Sequence, residues 1–290
     1  MKARAIIYII TASLLWGSSG IFVHFLAPVG FSSLQMTAVR SIVSALSMLI
    51  YIVIHDKKLL KVRKRDLLLL AGAGLSYFCT ASAYYAAMQA SSVSTAVILM
   101  YTAPVFVMAY SVAFMGEKLT KRKTVSVVVM LLGCALVSGV IGGMKFSVLG
   151  ILLGLFSGVS YSAYNVFAKV EMDRGTNPLS ATFWCFLIAS VAALCVSNPP
   201  QMIATAMQAP LWVPFVLLGL GIFTCVTPYF LYSLALRDLP AGTASALGII
   251  EPMAATVYSV LFLGEVLGIA SVGGIVLILG AVFLLSRNVE

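Results

Sequence analysis

Residues 84–119 read YYAAMQASSVSTAVILMYTAPVFVMAYSVAFMGEKL, and the same pattern returns 148 positions later at residues 232–267, as YSLALRDLPAGTASALGIIEPMAATVYSVLFLGEVL. Thirteen of the 36 aligned positions are identical, and the alignment needs no gap. The identities keep Pro, Tyr-Ser-Val and Gly-Glu-x-Leu in register, which chance agreement between two apolar stretches would not do. A second alignment, with an offset of 145, pairs Trp16 with Tyr161, Phe22 with Phe167 and His24 with Lys169. We therefore assign residues 1–142 and 143–290 to two copies of one unit.

The composition places this repeat in a membrane. Of the 290 residues, 61% are apolar and only 9% are charged, and the mean hydropathy is +1.08. A soluble chain is about 45–50% apolar and about 25% charged. These values exclude a soluble enzyme, a disordered chain and a secreted disulfide scaffold.

The apolar residues form continuous segments, each close to the roughly 20 residues that a membrane-spanning helix needs. Continuous apolarity favours helices over the alternating strands of a barrel. Ten segments are predicted, at about 5–26, 32–54, 66–88, 92–114, 124–141, 148–169, 178–197, 212–236, 242–263 and 267–286. The predicted fold class is an all-α integral membrane protein with ten transmembrane helices.

Basic residues predict the orientation of these helices. If the N-terminus lies inside, sixteen of the eighteen Lys and Arg residues fall on the inner side. Lys145 alone falls outside, and Arg40 lies within the second segment. Because Lys and Arg accumulate on the cytoplasmic side, both termini are predicted to be cytoplasmic. The cluster at 57–65 is expected to rest on anionic lipid headgroups, which explains the basic charge without nucleic acid.

The number of segments per unit determines how the two copies are related. Five spans are an odd number, so the second unit enters the membrane from the opposite side, giving a 5+5 inverted-topology repeat. Inverted repeats are typical of transporters, in which two near-equivalent halves open a central site to one face and then the other. A duplication retained only for folding remains the alternative interpretation.

Glu251 is the acidic residue nearest the middle of a predicted span. A carboxylate at the bilayer centre costs at least ~2.5 kcal/mol on insertion scales, so it usually faces a cavity or a partner. Pro252 follows it, lacks an amide hydrogen and frees a carbonyl one turn earlier. Glu251 is therefore either a counter-ion for an amine substrate, a proton site, or a protonated side chain bonded to the kinked backbone. Arg40 is either a binder of a substrate carboxylate or a tie between helices.

Aromatic and polar side chains complete the candidate substrate site. Seven rings lie well inside the predicted spans, away from the interfaces where Trp and Tyr usually anchor: Trp16, Tyr77, Tyr84, Tyr101, Tyr161, Tyr164 and Tyr232. Each is either a wall of a cavity for amine or aromatic solutes or ordinary packing. Asn165 is a further candidate ligand or helix tie. Pro104 and Pro252 are candidate hinges. His24 and Lys169, expected at opposite mouths, are either gating or proton-carrying residues or side chains that extend to the lipid headgroups.

Motifs for other chemistries are missing from the sequence. There is no Walker A loop, no nucleophile motif and no metal-ligand spacing, and the five cysteines lie in apolar stretches. We expect no catalytic residue, no metal, no cofactor and no nucleic-acid partner. A monomer contains both units, so no dimer is required.

Several motifs of this sequence form a recognisable set. They are the helix ends Gly-Glu-Lys-Leu (116–119) and Gly-Glu-Val-Leu (264–267), with Trp16-Gly17, Arg40 and Glu251-Pro252. With them the whole chain, about 5–286, resembles the EamA-type branch of the drug/metabolite transporter superfamily. Ser19 and His24 depart from its first-helix motif, which often has Asn and Lys there.

The resemblance implies a ten-helix plasma-membrane transporter of a small organic metabolite, such as an amino acid, an amine or a related amphipathic solute. Export is the direction expected from the family, and coupling to a proton is one option. An importer of an organic cation or vitamin-like nutrient and a non-transporting receptor or scaffold remain the alternatives.

Overall fold

The computed structural model describes residues 2–139, 147–264, 266 and 268–286, and these form helices and connecting turns without a strand. The α-helices are α1 (Lys2–Gly17), α2 (Ser19–Leu26), α3 (Ser33–His55), α4 (Leu67–Ala90), α5 (Val93–Met100), α6 (Ala103–Phe114), α7 (Lys121–Val137), α8 (Val148–Asp173), α9 (Pro178–Leu194), α10 (Pro199–Gln208), α11 (Val213–Gly221), α12 (Thr227–Asp238), α13 (Ala241–Leu247), α14 (Ile250–Leu263) and α15 (Ile269–Ser286). Continuous apolar sequence favours this outcome, because a helix satisfies its own backbone amides in hydrocarbon.

Local sequence signals set the helix starts. Ser32 forms a capping box with Gln35 at the start of α3, and Ser147 accepts a hydrogen bond from the Gly150 amide at the start of α8. Asn177 caps α9 in the same way. Each side chain supplies an acceptor for an amide that has no partner within the helix.

Several of the predicted segments are interrupted within their length. The first divides into α1 and α2, the fourth into α5 and α6, and the ninth into α13 and α14. Pro104 and Pro252 lie in the first turn of the helix after the break, where a missing amide hydrogen costs no hydrogen bond. The eighth segment runs from α11 to α12 through a π-helical turn at Ile222–Val226.

Two predicted segments are shorter than expected. Among the residues that the structure describes, eight helical stretches are long and apolar enough to cross a membrane, or nine if the bent pair α9–α10 is one span. The segment predicted at about 178–197 corresponds to α9, which stops at Leu194, and α10 leaves it at 97°. The 17 residues of α7 span about 25 Å, slightly less than a hydrocarbon core of about 30 Å. The count of ten spans stays a prediction.

The helix boundaries of the first half recur in the second half. Helices α5, α6 and α7 begin at Val93, Ala103 and Lys121, and α13, α14 and α15 begin at Ala241, Ile250 and Ile269. The starts are 148, 147 and 148 residues apart. The repeat in sequence is thus also a repeat in helix length and position.

Packing between the halves is reciprocal. Helix α4 packs along α8, and its repeat counterpart α12 packs along α1. The contact of α4 with α9 corresponds to the contact of α11 with α3. In the same way, the contact of α6 with α8 corresponds to the contact of α14 with α1. Helix α7 packs on its own counterpart α15. For these helix pairs, exchanging the halves reproduces the same contacts, as a two-fold relation between the halves would require.

Some sequence predictions lie outside the described residues. These are the unit boundary at 142/143, the basic residues Lys145 and Arg287, and Glu265 and Leu267 of the second Gly-Glu-x-Leu motif. The orientation of the two halves in the membrane likewise stays a prediction.

The crossing of α7 and α15 generates a stability prediction. A Cβ atom on Gly274 would lie 2.6 Å from the carbonyl oxygen of Gly133, whereas one on Gly273 would meet nothing within 4 Å. Gly274→Ala should therefore force the helices apart and cost about 1–3 kcal/mol, measured as a lower Tm of the purified protein in detergent. Gly273→Ala is the matched control and should leave Tm unchanged or slightly higher. Equal Tm values for the two variants would contradict this account.

Candidate functional site

A cavity of about 620 Å³ lies between the two halves. Its lining begins near the middle of the bundle, at Trp16, Tyr161 and Glu251, and continues to Val93 and Ser138 at one end. We call this the far end, because the basic residues of the connecting loops lie at the other, the basic end. Eight of the ten predicted substrate-site residues line the cavity: Glu251, Trp16, Tyr77, Tyr84, Tyr101, Tyr161, Tyr164 and Arg40.

Glu251 lies where the ninth segment is broken. Its amide donates to the carbonyl of Gly248 across the break (3.0 Å), and its side chain belongs to the first turn of α14. Unpaired amides at a helix N-terminus interact favourably with a negative charge. Tyr101 and Arg40 line the same cavity, and a hydroxyl donor and a guanidinium both favour the charged form of a nearby carboxylate. The break thus supplies both the position and a polar environment for this acid.

The position of α14 depends on a glycine of α1. A Cβ atom on Gly17 would lie 2.7 Å from Ala254 Cβ and 3.0 Å from the carbonyl oxygen of Glu251. Glycine therefore lets α1 approach the backbone of the first turn of α14, and the neighbouring Trp16 reaches the cavity wall. The Trp-Gly pair of the first segment places an aromatic wall next to the acid.

Arg40 of α3 contributes a cation to the same cavity. Its guanidinium carbon lies 5.5 Å from the centroid of the Tyr77 ring, within the range of a cation–π contact. Its Nε is buried and has no hydrogen-bond partner among the described residues. A buried charged donor without a partner is costly. The Arg40 Nε–H group is therefore available to donate a hydrogen bond to an oxyanion bound in the cavity.

The aromatic wall centres on a residue that the sequence did not single out. The ring of Tyr229 lies 5.0 Å from Trp16, 5.3 Å from Tyr77, 5.4 Å from Tyr164 and 5.1 Å from Phe186, measured between centroids. Edge-on contacts of this kind favour a fixed arrangement of rings. The repeat does not reveal Tyr229, since its counterpart is Ala81; its position directly after Pro228 in mid-segment is the remaining signal.

Asn165 and Tyr232 do not line the cavity, in contrast to the prediction for them. Both are 0% exposed, and the Tyr232 hydroxyl donates to Oδ1 of Asn165. The amide of Asn165 donates to the Tyr161 carbonyl (2.6 Å), and the Tyr232 ring lies beneath Trp16. These residues tie α8 to α12 because their polar atoms satisfy one another, leaving none for a solute.

The two predicted gate residues lie at opposite ends of the bundle. Lys169 donates to the Leu236 carbonyl (2.9 Å) and pairs with Asp173 (2.7 Å) at the basic end. His24 lines a second cavity of about 600 Å³ at the far end, with Gln208 and Trp212. The main cavity is thus closed where Lys169 lies and extends toward the end where His24 lies.

Further ionic contacts lie at the basic end, and one of them joins the two halves. Asp66 is bound by Arg63 (2.6 Å) and by Arg174 of the second half (3.4 Å), while Glu117 pairs with Lys123 (2.5 Å) above Gly242. Within the part of the chain that the structure describes, no group of three His, Cys, Asp or Glu side chains is placed to hold a metal ion. The cavity chemistry of these residues is therefore that of one carboxylate, one guanidinium, hydroxyl groups and aromatic rings.

Comparison with known proteins follows the repeat. The model of the EamA-like transporter family matches residues 3–139 and again 148–287. The chain is 29% identical over 280 residues to an uncharacterized transporter of Archaeoglobus fulgidus, covering 97% of this chain and 95% of that protein. It is 29% identical over 297 residues to an uncharacterized transporter of Clostridium kluyveri, covering 98% and 94%.

A third relative and a solved structure extend these matches. The uncharacterized transporter YwfM of Bacillus subtilis is 25% identical over 289 residues, covering 97% of this chain and 93% of that protein. A solved crystal structure covers 100% of both chains with a TM-score of 0.81 at 18% identity, which shows the fold alone. The three relatives are named as uncharacterized transporters, and this chain, with its family match and its apolar helices, is a multi-pass membrane protein.

The tie between Tyr232 and Asn165 generates a second prediction. Tyr232→Phe leaves the buried Oδ1 of Asn165 without its donor, which should cost about 1–3 kcal/mol and lower Tm. The repeat counterpart, Tyr84→Phe, is the control, because the Tyr84 hydroxyl has no hydrogen-bond partner among the described residues and lies at the cavity. A Tm loss as large for Tyr84→Phe as for Tyr232→Phe would be inconsistent with this assignment.

Proposed function

This chain belongs to the EamA-like transporter family, and on that basis we propose that it is a secondary transporter. It moves a small organic metabolite across the plasma membrane by alternating access, with export as the direction. The proposed substrate class is an amine, an amino acid or a related amphipathic solute. EamA family members act in transport rather than in catalysis, which agrees with the chemistry of the cavity.

One observation carries the proposal: the cavity is bounded by both halves, reaches the far end and is closed at the basic end. Trp16, Arg40 and Tyr101 come from the first half, and Tyr164 and Glu251 from the second. A site shared by two repeats near mid-membrane is what alternating access requires, because each repeat controls the path to one face. A receptor or scaffold has no evident need for two equivalent halves around one site.

The cavity chemistry supports the substrate class. Its volume of about 620 Å³ lies within the ~300–1,000 Å³ of small-molecule sites. Glu251 matches an ammonium group, and Arg40 with its unpartnered Nε matches a carboxylate or another oxyanion. The rings of Tyr77 and Tyr229 offer faces to a cationic or aromatic part.

The orientation follows from the distribution of charge. Lysine and arginine residues concentrate in the loops of the basic end, so we place that end and both termini in the cytoplasm. The conformation described here is then open to the outside. The two halves, with five spans each, are proposed to have inverted topology, and one chain is sufficient for the pathway.

Transport itself is tested in liposomes. Purified protein should carry a radiolabelled solute from a panel of aromatic amines, amino acids and vitamin-like cations across the bilayer faster than protein-free liposomes do. Binding to any of these solutes without flux would favour a receptor or scaffold. Inward flux against a gradient in right-side-out vesicles would favour an importer over the proposed exporter.

Removing the charge of Glu251 tests the polar anchor. Glu251→Gln should weaken binding of cationic solutes about 10- to 100-fold, since a hydrogen bond to a charged group contributes about 1.5–3 kcal/mol. Binding is measured by thermal shift or isothermal calorimetry. Asp238→Asn removes an exposed carboxylate and is the matched control, expected to bind like the parent. Equal affinity of the parent and Glu251→Gln for every cationic solute would exclude Glu251 as the anchor.

The same variant tests proton coupling. If Glu251 carries the coupled proton, flux by the parent protein should depend on pH and flux by Glu251→Gln should not. The measurement covers about pH 5.5–8, the range in which side chains titrate near physiological pH. Flux that does not change with pH in either protein would reject proton coupling at Glu251.

A further inference from the structure

The contacts that close the basic end have repeat counterparts at the far end. Asn165 and Tyr232 are joined by a hydrogen bond, and Lys169 donates to the Leu236 carbonyl (2.9 Å). With the two repeat offsets, the counterparts of these four residues are Gly20, Tyr84, His24 and Met88. They lie on α2 and α4, the helices that correspond to the end of α8 and to α12.

These counterparts are separated in the present conformation. Gly20, Tyr84 and Met88 line the main cavity, and a Cβ atom on Gly20 would meet nothing within 4 Å. Helix α8 packs on α12, whereas α2 and α4 stand on either side of open space. The two halves therefore hold equivalent residues in two different states, one joined and one apart.

A second pair of helices shows the same difference. Helix α13 packs on α6, and Ala241 at its start is 0% exposed. The counterpart of Ala241, Val93 at the start of α5, is 59% exposed and faces Thr256 and Val260 of α14 across the cavity. Where the basic end is sealed by α6 and α13, the far end is open between α5 and α14.

Other repeat contacts are the same in both halves. A Cβ atom on Gly72 would lie 2.8 Å from the Phe167 ring, and one on Gly219 would lie 2.8 Å from the Phe22 ring. These contacts correspond at an offset of 147 for the glycines and 145 for the phenylalanines, and they join α4 to α8 and α11 to α2. We therefore treat α4 with α8, and the first segment with α11–α12, as two packed units.

We propose that Gly20 and His24 close against Tyr84 and Met88 to form the far-end gate of the opposite conformation. In that state the His24 imidazole donates to the Met88 carbonyl, as the Lys169 ammonium does to the Leu236 carbonyl. The same closure brings Ser94 of α5 to Thr256 of α14. Their repeat counterparts, Gly242 and Met108, are already in contact at the basic end, where a Cβ atom on Gly242 would lie 2.9 Å from Met108 Cγ. The proposal rests on the alternating access proposed above.

The two gates differ in strength because of one substitution between the repeats. Gly20 stands where the second half has Asn165, so the Tyr84 hydroxyl finds no amide partner when the far end closes. His24 also lacks the anchor that Asp173 gives to Lys169, since Pro28 occupies the equivalent position. The far-end gate therefore holds fewer polar contacts, and the equilibrium favours the far-end-open state.

Crosslinking measures the closed far end directly. In a chain whose five native cysteines are replaced by alanine, Ser94→Cys and Thr256→Cys are treated with a short, reducible bis-methanethiosulfonate reagent. The pair reacts only in molecules whose far end is closed, so the crosslinking rate reports their population. None of the four proposed gate residues is altered by the reporter pair.

Gly20→Asn supplies the missing amide and should raise the crosslinking rate about fivefold, the effect of one hydrogen bond of ordinary net strength. Gly20→Ala fills the same space without an amide and is the matched control, expected to react at the parent rate. His24→Ala should lower the rate by a similar factor. Each crosslinked protein should lose flux in liposomes and regain it when the reagent is reduced.

The outcomes separate the gate from the transport proposal. Equal crosslinking rates for Gly20→Asn and Gly20→Ala, or for His24→Ala and the parent, would overturn the assignment of the gate while leaving transport untouched. The crosslinking rates could respond as expected while the protein carries no solute of the panel. That result would support the gate as a conformational switch and would count against transport.

Discussion

A backbone amide or carbonyl in hydrocarbon needs a partner, and this requirement governs where the helices of the protein can be interrupted. Each interruption in a span lies beside the central cavity and has its own substitute bonds. The Ser18 hydroxyl donates to the Leu15 carbonyl (2.7 Å) where α1 meets α2, and Thr102 donates to Leu99 (2.6 Å) where α5 meets α6. At the π-helical turn, the Thr224 hydroxyl donates to the Leu220 carbonyl (2.5 Å). Broken backbone is tolerated at the site because small hydroxyl side chains satisfy it.

The breaks also place the charges. Glu251 follows the interruption between α13 and α14, and amide groups at the start of a helix face its carboxylate. Its repeat counterpart is Ala103, at the equivalent break in the first half. The two halves thus share an architecture, but only one carries the acid, while Arg40 supplies the opposite charge from α3. A nearly symmetric scaffold holds an asymmetric cavity, which suits the proposed solutes because their two ends differ.

Asymmetry between repeats is also what distinguishes the two ends of the bundle. At the basic end, the halves are joined by an ion pair between Asp66 and Arg174 and by a hydrogen bond from the Ser180 hydroxyl to the Leu59 carbonyl. At the far end, the equivalent helices diverge around the cavity. Because the two halves have similar sequences, the proposed conformations with one end or the other end closed are expected to be close in free energy. A few polar contacts are then sufficient to determine which end is closed. The number of such contacts at each end, rather than the packing of the shared core, sets the balance.

Residue patterns alone predicted the membrane environment, the helical class, the repeat and eight of the residues that line the cavity. Apolar segments in lipid have few alternatives to a helix, and an ionisable residue such as Glu251 or Arg40 within a span is costly unless it faces a polar space. Tertiary structure alone decided that Tyr229 is the centre of the aromatic wall, that Asn165 and Tyr232 satisfy each other outside the cavity, and that α10 turns away from α9. These features depend on how helices cross and rotate against partners far away in the chain. Hydropathy and repeat alignment describe each segment along its own axis and carry no information about which faces of two segments meet.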